Sequence, residues 1–366
     1  MKVQAAVIDG VDAEWDIREV ELRETDIRPG EILVRMGAAG LCHTDEHIRH
    51  GELPAQFPLV GGHEGAGVAV SVGEGVSHIK PGDHLVFTFR PSCGLCRYCV
   101  DGKAHLCTEI DQVKAGDPNP RFSQDGVALN AQSLIGTFAE HAIVKATACV
   151  VIDKDISMDV AALLGCAIPT GFGAAVHAGK VQPGDHVVVV GMGGVGTNAV
   201  QGAKVAGAST VVAVDLSPNK LALAREFGAD AAFASLGEAS EYIHKASHGR
   251  KPTVVILTVP VAALAAQAVS ILDQGGRLVL AALGNPASFR LDLPINQLVM
   301  NDITVRGTVM GSSSLRRDIP TILALYRQGK YKLDELITHR FSLADIRKGY
   351  SQLDQGDVVR AVIQYN

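Results

Sequence analysis

Four cysteines within fifteen residues are the densest group of potential metal ligands in the sequence. Cys93, Cys96, Cys99 and Cys107 follow the spacing C-x2-C-x2-C-x7-C in the segment CGLCRYCVDGKAHLC. Four thiolates, with glycines that allow tight turns between them, are typical of a closed tetrahedral zinc site that braces a loop. Iron–sulfur clusters also use cysteine thiolates and are the main alternative. We therefore expect a structural metal site, with zinc favoured, in a lobe at residues 90–110.

A second set of ligand types is scattered along the chain. Cys42 lies in GLCHTDEH, His63 in GGHEGAGVAVSVGEGV and Cys166 in LLGCAIPTG. A catalytic zinc takes three protein ligands, commonly thiolates and imidazoles, and leaves a fourth position for water or substrate. Each of these residues alone would more commonly be a buried cysteine or a core histidine. Because their spacing builds no site locally, the fold would have to bring them together.

A glycine-rich turn after an apolar segment could bind phosphate groups. The segment Val187–Val190 ends at a turn that contains Gly191, Gly193 and Gly196, and small and apolar residues then follow a helical pattern over Val195–Ala206. Such glycines allow a tight turn, a close approach of pyrophosphate and packing of helix on strand, while the helix N-terminus attracts phosphate. We interpret the segment as a dinucleotide-binding strand, turn and helix, in preference to a turn without a ligand.

An acidic residue follows the next apolar segment. Asp215 comes directly after Thr210–Val214, about 20 residues beyond the glycine turn, where a carboxylate accepts hydrogen bonds from the adenosine ribose. The same carboxylate would repel a 2′-phosphate. We therefore expect NAD, and not NADP, as the cofactor.

Composition excludes several classes of function. The chain has 366 residues, 47% hydrophobic residues and 39 glycines, enough for a large core and two domains. A formal net charge of −6 and scattered Lys and Arg provide no basic stripe for nucleic acid or anionic lipid. With no signal peptide and no apolar segment of membrane-spanning length, we expect a cytoplasmic protein without nucleic-acid or membrane partners. In such a chain, clustered cysteines favour metal binding over disulfides.

The elements that must position these residues follow two patterns. Short Val/Ile segments broken by glycine, proline and aspartate extend to about residue 154 and predict an all-β domain. From residue 159 to about 309, strands alternate with helical segments, as in a parallel α/β domain. Helices are also predicted at 261–272, 316–328 and 343–353, and VVRAVIQY is predicted as a final strand that returns to the first domain.

Taken together, the motifs resemble those of the zinc-dependent medium-chain alcohol dehydrogenases, and the similarity covers nearly the whole chain. Gly62, His63, Glu64, Gly67, Gly73 and Val76 match the family's zinc motif at full spacing, and the four-cysteine lobe, GCAIPTG and GMGGVG follow in the family's order. The resemblance implies an α/β plus β fold. A GroES-like catalytic domain would span 1–160 and 310–366, a Rossmann domain with a doubly wound parallel sheet would span 161–309, and a cleft would separate them.

The resemblance also implies roles for the ligand residues. Cys42, His63 and Cys166 would hold a catalytic zinc and the lobe cysteines a structural one, which gives two zinc ions per subunit. Asp45 would orient His63, and Glu64 would lie behind the metal near Arg360.

Further residues are implied to bind the coenzyme. The glycine loop residues are Gly191, Gly193, Gly194, Val195 and Gly196, and they would be joined by Asp215, Lys220, Thr170 and Arg360. His43 stands where many family members carry an arginine that contacts the NAD pyrophosphate. A single imidazole offers fewer donors than a guanidinium, so a weaker contact is expected.

The implied reaction is reversible hydride transfer between an alcohol or aldehyde and NAD(H). Zinc would lower the pKa of the alcohol, and the proton would leave through Thr44, the ribose hydroxyls and His47. The hydride would pass to C4 of the nicotinamide.

Within the family, GLCHTDEH, CGLCRYC and GTNAVQGAKVAG are most similar to a bacterial branch, known from actinobacteria, that includes nicotinoproteins. Nicotinoproteins keep NAD(H) bound and pass electrons to an external acceptor such as N,N-dimethyl-4-nitrosoaniline. A nicotinoprotein alcohol dehydrogenase is therefore the alternative function.

The resemblance also bears on the substrate. Phe89 is similar to an aromatic wall of the substrate pocket, which points to a hydrophobic primary alcohol, although an ordinary core role is the alternative. Glutathione-dependent formaldehyde dehydrogenases carry an arginine four residues beyond the last lobe cysteine, and this chain has Asp111 there, which disfavours glutathione adducts. The family implies a homodimer or a homotetramer.

Three other classes of protein are alternatives. A zinc-free reductase of the same superfamily would lack both ligand sets. A zinc-ribbon protein that grips nucleic acid would need basic and aromatic residues around the lobe, where Asp101, Glu109 and Asp111 lie instead. A structural protein that had lost catalysis would not need the complete ligand and relay set.

Overall fold

The computed structural model describes residues 1–284, 289–355 and 358–365. Contacts within the chain separate it into two compact units. Unit 1 comprises Met1–Cys166, Ser314–Pro320 and Leu333–Asn366, and unit 2 comprises Ala167–Ser313 and Thr321–Lys332.

Strands form the framework of unit 1 and the centre of unit 2. Within the described residues they are β1 (Lys2–Ile8), β2 (Asp16–Leu22), β3 (Glu31–Leu41), β4 (Leu59–Val60), β5 (Gly65–Val72), β6 (His84–Phe87), β7 (Phe122–Gln124), β8 (Val127–Ala131), β9 (His141–Lys145), β10 (Cys149–Ile152), β11 (His186–Val190), β12 (Thr210–Val214), β13 (Ala231–Phe233), β14 (Val254–Leu257), β15 (Arg277–Leu280), β16 (Thr304–Gly307), β17 (Ile337–Phe341) and β18 (Arg360–Gln364).

The helices of the same residues are α1 (His43–Arg49), α2 (Arg97–Val100), α3 (Ile110–Ala115), α4 (Met158–Leu163), α5 (Ala167–Gly173), α6 (Gly194–Val205), α7 (Pro218–Glu226), α8 (Leu236–Ala246), α9 (Ala263–Ile271), α10 (Ile295–Met300), α11 (Leu315–Arg327) and α12 (Ile346–Asp354). Short 3-10 turns lie at Ala104–Leu106, Gln132–Leu134, Ala146–Ala148, Met310–Ser312, Asp334–Leu336 and Leu343–Asp345, and a π-helical turn at Ala174–Ala178. The predicted helices at 261–272, 316–328 and 343–353 correspond to α9, α11 and α12, and the last begins as a 3-10 turn. No helix in the described part of the chain has the length and apolar character needed to cross a membrane.

Unit 1 is built on β-structure, as predicted. A closed barrel has the strand order β1-β2-β7-β8-β4, and a second sheet has the order β10-β6-β5-β3-β18-β17, with β9 also paired to β3. The predicted final strand is β18, which lies between β3 and β17 and pairs antiparallel with β3. Strand β18 thus packs beside β3, and the end of β3 leads directly into Cys42.

Close backbone packing brings β5 against β3. An added Cβ at Gly67 would lie 2.4 Å from the Arg35 carbonyl oxygen, so only glycine allows this approach. The Gly40 amide then donates to the Glu64 carbonyl at 3.2 Å, just before β5 begins. The pairing fixes the His63–Glu64 segment beside the C-terminal end of β3.

Unit 2 contains a six-stranded parallel sheet with the order β13-β12-β11-β14-β15-β16. The β11 residues Val187 and Val189 belong to one apolar cluster, which includes residues of α6. Val188 and Val190 belong to a different cluster, which includes residues of α8 and α9. Both faces of β11 are thus covered, which explains its continuous apolar sequence.

The turn between β11 and α6 depends on two glycines for different reasons. Gly191 has φ +92°, a left-handed conformation that other residues rarely adopt. An added Cβ at Gly196 would lie 1.6 Å from the Gly191 carbonyl oxygen. The helix can begin this close to the strand only because Gly196 has no side chain.

We expect Gly196→Ala to destabilise the protein by about 1–3 kcal/mol or more, because the clash is with backbone that cannot rotate away. Gly193→Ala is the matched control, since an added Cβ there meets no atom within 4 Å and Gly193 has φ −81°. The measurement is the urea midpoint of unfolding. Equal midpoints for the two variants would contradict the packing described for this turn.

Candidate active site

Cys42, His63 and Cys166 come together in unit 1 although they are distant in sequence. Cys42 precedes α1, His63 precedes β5 and Cys166 follows α4. Their potential ligand atoms all lie within 4.8 Å of one another. Gly165 allows this convergence, because an added Cβ there would lie 2.3 Å from the Phe87 carbonyl oxygen and would block the passage of the chain.

The imidazole of His63 is oriented by a buried carboxylate. Its Nδ1 donates to Asp45 Oδ1 at 2.7 Å, and both side chains are almost completely buried. The His63 Nε2 atom is also buried and has no hydrogen-bond partner. A proton on Nδ1 leaves a lone pair on Nε2, as metal ligation requires. The donor set of two thiols and one imidazole fits a catalytic zinc site.

The pKa values of the two thiols at this site are shifted in opposite directions. A hydrogen bond with Cys166 lowers the pKa of the Cys42 thiol well below its usual range, and the nearby His63 acts in the same direction. The Cys42 thiolate and burial together hold the pKa of Cys166 well above its usual range. The Cys42 thiol therefore loses its proton more readily than the Cys166 thiol, and a bound cation would favour the thiolate form of both.

Two residues that the sequence analysis did not identify complete the surroundings of Asp45. Gln132 Nε2 donates to Asp45 Oδ1 at 2.6 Å, and the Tyr350 hydroxyl donates to Asp45 Oδ2 at 2.9 Å. These residues are 87 and 305 positions away from Asp45 in sequence. No local motif marks either of them, so the sequence offered no signal for this contact.

Glu64 and Arg360 form a buried ion pair, as the resemblance implied. The Arg360 guanidinium donates to Glu64 Oε1, and the two residues are 5% and 0% exposed. Burial raises the pKa of the Glu64 carboxyl to about 7, and the positive charge of Arg360 opposes this increase. The Arg360 Nε atom is buried without a hydrogen-bond partner.

The residues of the expected proton relay lie on α1. The Thr44 hydroxyl is 3.6 Å from Cys42 Sγ, which puts it beside the three converging ligands. His47 is partly exposed, and its Nδ1 is hydrogen-bonded to Glu52. The sequence analysis did not foresee this contact. His43 is exposed at the first position of α1.

The Phe89 ring lies next to the His63 ring. The two ring centroids are 5.5 Å apart in an edge-to-face arrangement. Phe89 is partly buried and also packs against the apolar core of unit 1. Both interpretations of this residue, a wall beside the site and a core residue, therefore describe part of its environment.

The four lobe cysteines form a second, more compact group of ligands in unit 1. Their sulfur atoms all lie within 4.8 Å of one another, and Cys107 Sγ is 3.5 Å from Cys93 Sγ and 3.8 Å from Cys96 Sγ. A tetrahedral zinc with Zn–S bonds of about 2.3 Å places sulfur atoms about 3.8 Å apart. The spacing fits one ion, whereas an iron–sulfur cluster would need room for several iron and sulfide atoms.

Backbone amides also prepare the lobe for thiolates. The Cys96 amide donates to Cys93 Sγ at 3.3 Å, and the Cys93 amide donates to Cys107 Sγ at 3.3 Å. Hydrogen bonds from the backbone of Thr108 and Cys99 lower the pKa of the Cys96 thiol to about 6. The lobe is therefore arranged to hold a cation.

The coenzyme residues predicted in unit 2 surround the start of α6. Asp215 Oδ2 accepts from the Met192 amide at 2.6 Å, and Oδ1 accepts from the Ser217 amide at 2.9 Å. This carboxylate thereby ties the end of β12 to the glycine turn. Gly193 is partly exposed, and an added Cβ would meet no atom within 4 Å, so a bulky ligand could lie against the backbone there.

The remaining predicted coenzyme residues of unit 2 are Thr170, Lys220, Gly194 and Val195. Thr170 lies on α5, 9% exposed, with its hydroxyl 3.7 Å from the Met310 sulfur. Lys220 is partly exposed on α7, whose N-cap is Ser217. Gly194 and Val195 form the first turn of α6 and are partly exposed. NAD fits this unit, because the turn offers a helix N-terminus, an open glycine and a strand-end carboxylate.

Comparisons with known proteins agree with this geometry. Residues 28–154 match the model of the alcohol dehydrogenase GroES-like domain, and residues 194–328 match that of zinc-binding dehydrogenases. An NDMA-dependent alcohol dehydrogenase from Amycolatopsis methanolica is 40% identical over 371 residues, which cover 100% of both chains.

Solved structures give the same result. An alcohol dehydrogenase zinc-binding domain protein from Burkholderia ambifaria matches with a TM-score of 0.93 and 29% identity, covering 100% of this chain and 99% of that one. Benzyl alcohol dehydrogenase from Acinetobacter calcoaceticus matches with a TM-score of 0.90 and 27% identity, covering 100% of both chains.

These similarities set aside the zinc-free reductase and zinc-ribbon alternatives. With 40% identity to an alcohol dehydrogenase over its full length and matches to both family domains, the chain belongs to the zinc-dependent alcohol dehydrogenases of the medium-chain dehydrogenase/reductase superfamily and is an NAD-dependent oxidoreductase.

Proposed function

We propose that Cys42, His63 and Cys166 hold the catalytic zinc of an enzyme that interconverts a hydrophobic primary alcohol and its aldehyde. The observation that carries the proposal is the buried, unpartnered His63 Nε2, which converges with two thiols within 4.8 Å. The bound groups would supply Lewis-acid polarisation of the alcohol oxygen and acceptance of its hydride. The lobe cysteines Cys93, Cys96, Cys99 and Cys107 would hold the structural zinc.

The proposed work of the chain's own residues is to position the ligands and to move a proton. Asp45 holds His63 in the tautomer that leaves Nε2 unprotonated. The Thr44 hydroxyl, 3.6 Å from Cys42 Sγ, is the proposed first acceptor of the alcohol proton. His47 is the proposed last acceptor before the proton reaches solvent, and its hydrogen bond with Glu52 would hold the ring in place.

A hydrophobic substrate is proposed from the neighbours of the zinc ligands. The Phe89 ring contacts the His63 ring edge to face, so an apolar group next to the metal would find an apolar surface. Asp111 is exposed, and its Oδ1 lies 3.7 Å from Lys114 Nζ. The side chain at position 111 is therefore an anion, which would not attract a substrate carboxylate. Benzyl alcohol, named in one structural relative, is a suitable test substrate.

We further propose that the two parts of the chain have separate roles, one in catalysis and one in NAD binding. Residues 1–160 and 310–366 would form the catalytic domain and residues 161–309 the NAD-binding domain. Gly191, Gly193, Gly194, Val195 and Gly196 would bind the pyrophosphate, with Asp215 at the ribose, Lys220 beside it and Thr170 near the nicotinamide. His43 and Arg360 are the proposed pyrophosphate contacts from the catalytic domain, and Arg360 would use its unpartnered Nε.

A nicotinoprotein is the second candidate function, and one observation favours it. The relative from Amycolatopsis methanolica is named for its dependence on NDMA and matches the entire chain. In that case NAD would stay bound between turnovers and an external acceptor would take the electrons.

Self-association and location are the last parts of the proposal. We infer a homodimer or homotetramer, because Ile295, Val299 and Met300 on α10 are 72%, 73% and 80% exposed and β16 is an edge strand of the unit 2 sheet. We infer a cytoplasmic location, because zinc ligation needs reduced thiols.

Wild-type protein should contain two zinc ions per chain, and Cys166→Ser should retain one with little change in folding. Cys99→Ser should lose the lobe zinc and unfold at lower temperature, because a closed structural site contributes folding free energy. The measurements are elemental analysis and thermal unfolding. Cys149→Ser is the control, since this buried thiol belongs to neither ligand group and should leave both zinc ions in place. Stoichiometric iron, or equal loss of structure in both ligand variants, would overturn the assignment.

The enzyme should prefer NAD to NADP by at least about tenfold in kcat/KM, a difference of about 1.4 kcal/mol, because a phosphate beside Asp215 is repelled. Asp215→Asn should narrow this preference, and its amide oxygen can still accept from one of the two amides that Asp215 binds. Asp230→Asn is the control, since Asp230 also accepts a backbone hydrogen bond beside the unit 2 sheet, from Val211. A preference unchanged in Asp215→Asn would show that this carboxylate does not act on the ribose.

A panel of alcohols tests the substrate and the alternative together. Benzyl alcohol should be oxidised with free NAD at a higher kcat/KM than ethanol, and Phe89→Ala should reduce this advantage by about tenfold, equivalent to about 1.4 kcal/mol of apolar contact. An equal loss for both alcohols would remove Phe89 from the substrate pocket. Activity only with an external acceptor, from enzyme that retains NAD through gel filtration, would establish the nicotinoprotein.

A further inference from the structure

We propose that Tyr350 and Gln132 are positioning residues for the catalytic zinc, which act by saturating the Asp45 carboxylate that holds His63. The inference rests on the proposed zinc site and adds a layer of residues behind it. Neither side chain is a candidate metal ligand. Tyr350 reaches the site through Asp45, whereas Gln132 binds both Asp45 and the Gly62 amide, and its Nε2 is also 3.3 Å from His63 Nδ1.

The hydrogen bonds of Asp45 account for every lone pair of its carboxylate. The side chain is 0% exposed, so water cannot supply a missing donor. Oδ1 accepts from His63 Nδ1 at 2.7 Å and from Gln132 Nε2 at 2.6 Å. Oδ2 accepts from the Tyr350 hydroxyl at 2.9 Å and from the Cys42 amide at 3.2 Å. A carboxylate has about four such positions, so all are occupied.

The four donors fix the direction of the carboxylate plane and, through it, the His63 ring. Without the Tyr350 hydroxyl, Oδ2 would keep only the longer bond from the Cys42 amide. The carboxylate could then rotate about its bond to Cβ, and the His63 Nε2 atom would sample a wider range of directions. Metal affinity depends on this direction, because the lone pair must point at the ion.

The Tyr350 donor is itself held in place by its neighbours. The Tyr350 ring stacks on Trp15, with centroids 5.8 Å apart and an interplanar angle of 15°, and it also contacts Phe138 edge to face. Burial raises the pKa of the Tyr350 hydroxyl well above its usual range, so it remains a donor.

Gln132 is fixed by its own oxygen. Its Oε1 accepts from the Gly62 amide at 2.9 Å, which leaves Nε2 to face Asp45. The orientation of the amide group therefore follows from its partners. Gln132 also joins the residue next to His63 to the same carboxylate, so the backbone and side chain of this segment are held together.

The test compares two tyrosine variants that each lose one hydroxyl hydrogen bond in unit 1, a buried one at Tyr350 and a partly buried one at Tyr365. Tyr350→Phe removes the donor to Asp45, whereas Tyr365→Phe removes a 2.6 Å bond to the Thr137 carbonyl and does not touch Asp45. We measure release of each zinc to a chelator from the purified holoenzyme, and the visible absorption of enzyme whose catalytic zinc is replaced by Co(II).

Tyr350→Phe should release the catalytic metal about tenfold faster, because loss of the group that orients a metal ligand typically weakens metal binding about 10–100-fold and Tyr350 acts on that group, Asp45. Its Co(II) bands should shift, while release of the lobe zinc stays at the wild-type rate. Tyr365→Phe should match wild type in both measurements. Gln132→Met, which lacks the other donor, should also speed release. In an Asp45→Asn background, Tyr350→Phe should add little.

Release rates and Co(II) bands that are the same in Tyr350→Phe as in Tyr365→Phe would overturn the inference. If Tyr350→Phe does not fold, an unchanged release rate in Gln132→Met overturns it instead. Wild-type protein that holds only the lobe zinc would refute the proposed catalytic site itself, and the two failures are therefore distinguishable.

Discussion

The buried carboxylate of Asp45 is the constraint on which the candidate active site depends. A charge without access to water is costly unless hydrogen bonds replace its hydration. The replacement donors come from four separate parts of unit 1: the end of β3, the segment before β5, the turn after β8 and helix α12. Each of these elements must be in place before the charge is satisfied. The requirement links the packing of the whole unit to the direction of one imidazole.

A second buried charge strengthens the same dependence. Glu64 is adjacent to His63 and pairs with Arg360 at the beginning of β18. Without Arg360, the buried Glu64 carboxylate would lack both water and a counter-charge, which is costly in the protein interior. In unit 2, the turn between β11 and α6 depends on close backbone packing and not on buried charge. There the constraint is steric, because Gly196 must leave room for the Gly191 carbonyl oxygen. The path of the backbone at this turn sets the position of the α6 N-terminus.

Much of this arrangement could be predicted from the sequence, because it is encoded locally. The apolar segment of β11, the glycine turn and the cysteine spacing each specify their structure over a few residues. Helix ends differed from prediction by one or two residues, as at α6, which begins at Gly194. Tyr350, Gln132 and Glu52 escaped prediction for a physical reason. Their roles arise from contacts made by tertiary packing, and a buried tyrosine in an amphipathic helix has the same sequence pattern whether its hydroxyl binds a carboxylate or not.

The position of β18 has a consequence for how the protein is made. This strand lies inside the unit 1 sheet, between β3 and β17, and it carries Arg360 close to the end of the chain. During synthesis from the N-terminus, residues 167–332 emerge before β17, α12 and β18. The unit 1 sheet therefore remains incomplete, with Glu64 lacking Arg360 and Asp45 lacking Tyr350, until these later elements have been synthesised. The contact between Tyr350 and Asp45 joins residues that are 305 positions apart, so forming it closes a very long loop. A nascent chain that has not yet reached Tyr350 and Arg360 already contains Cys42, His63 and Cys166, but it lacks these partners of Asp45 and Glu64 behind them.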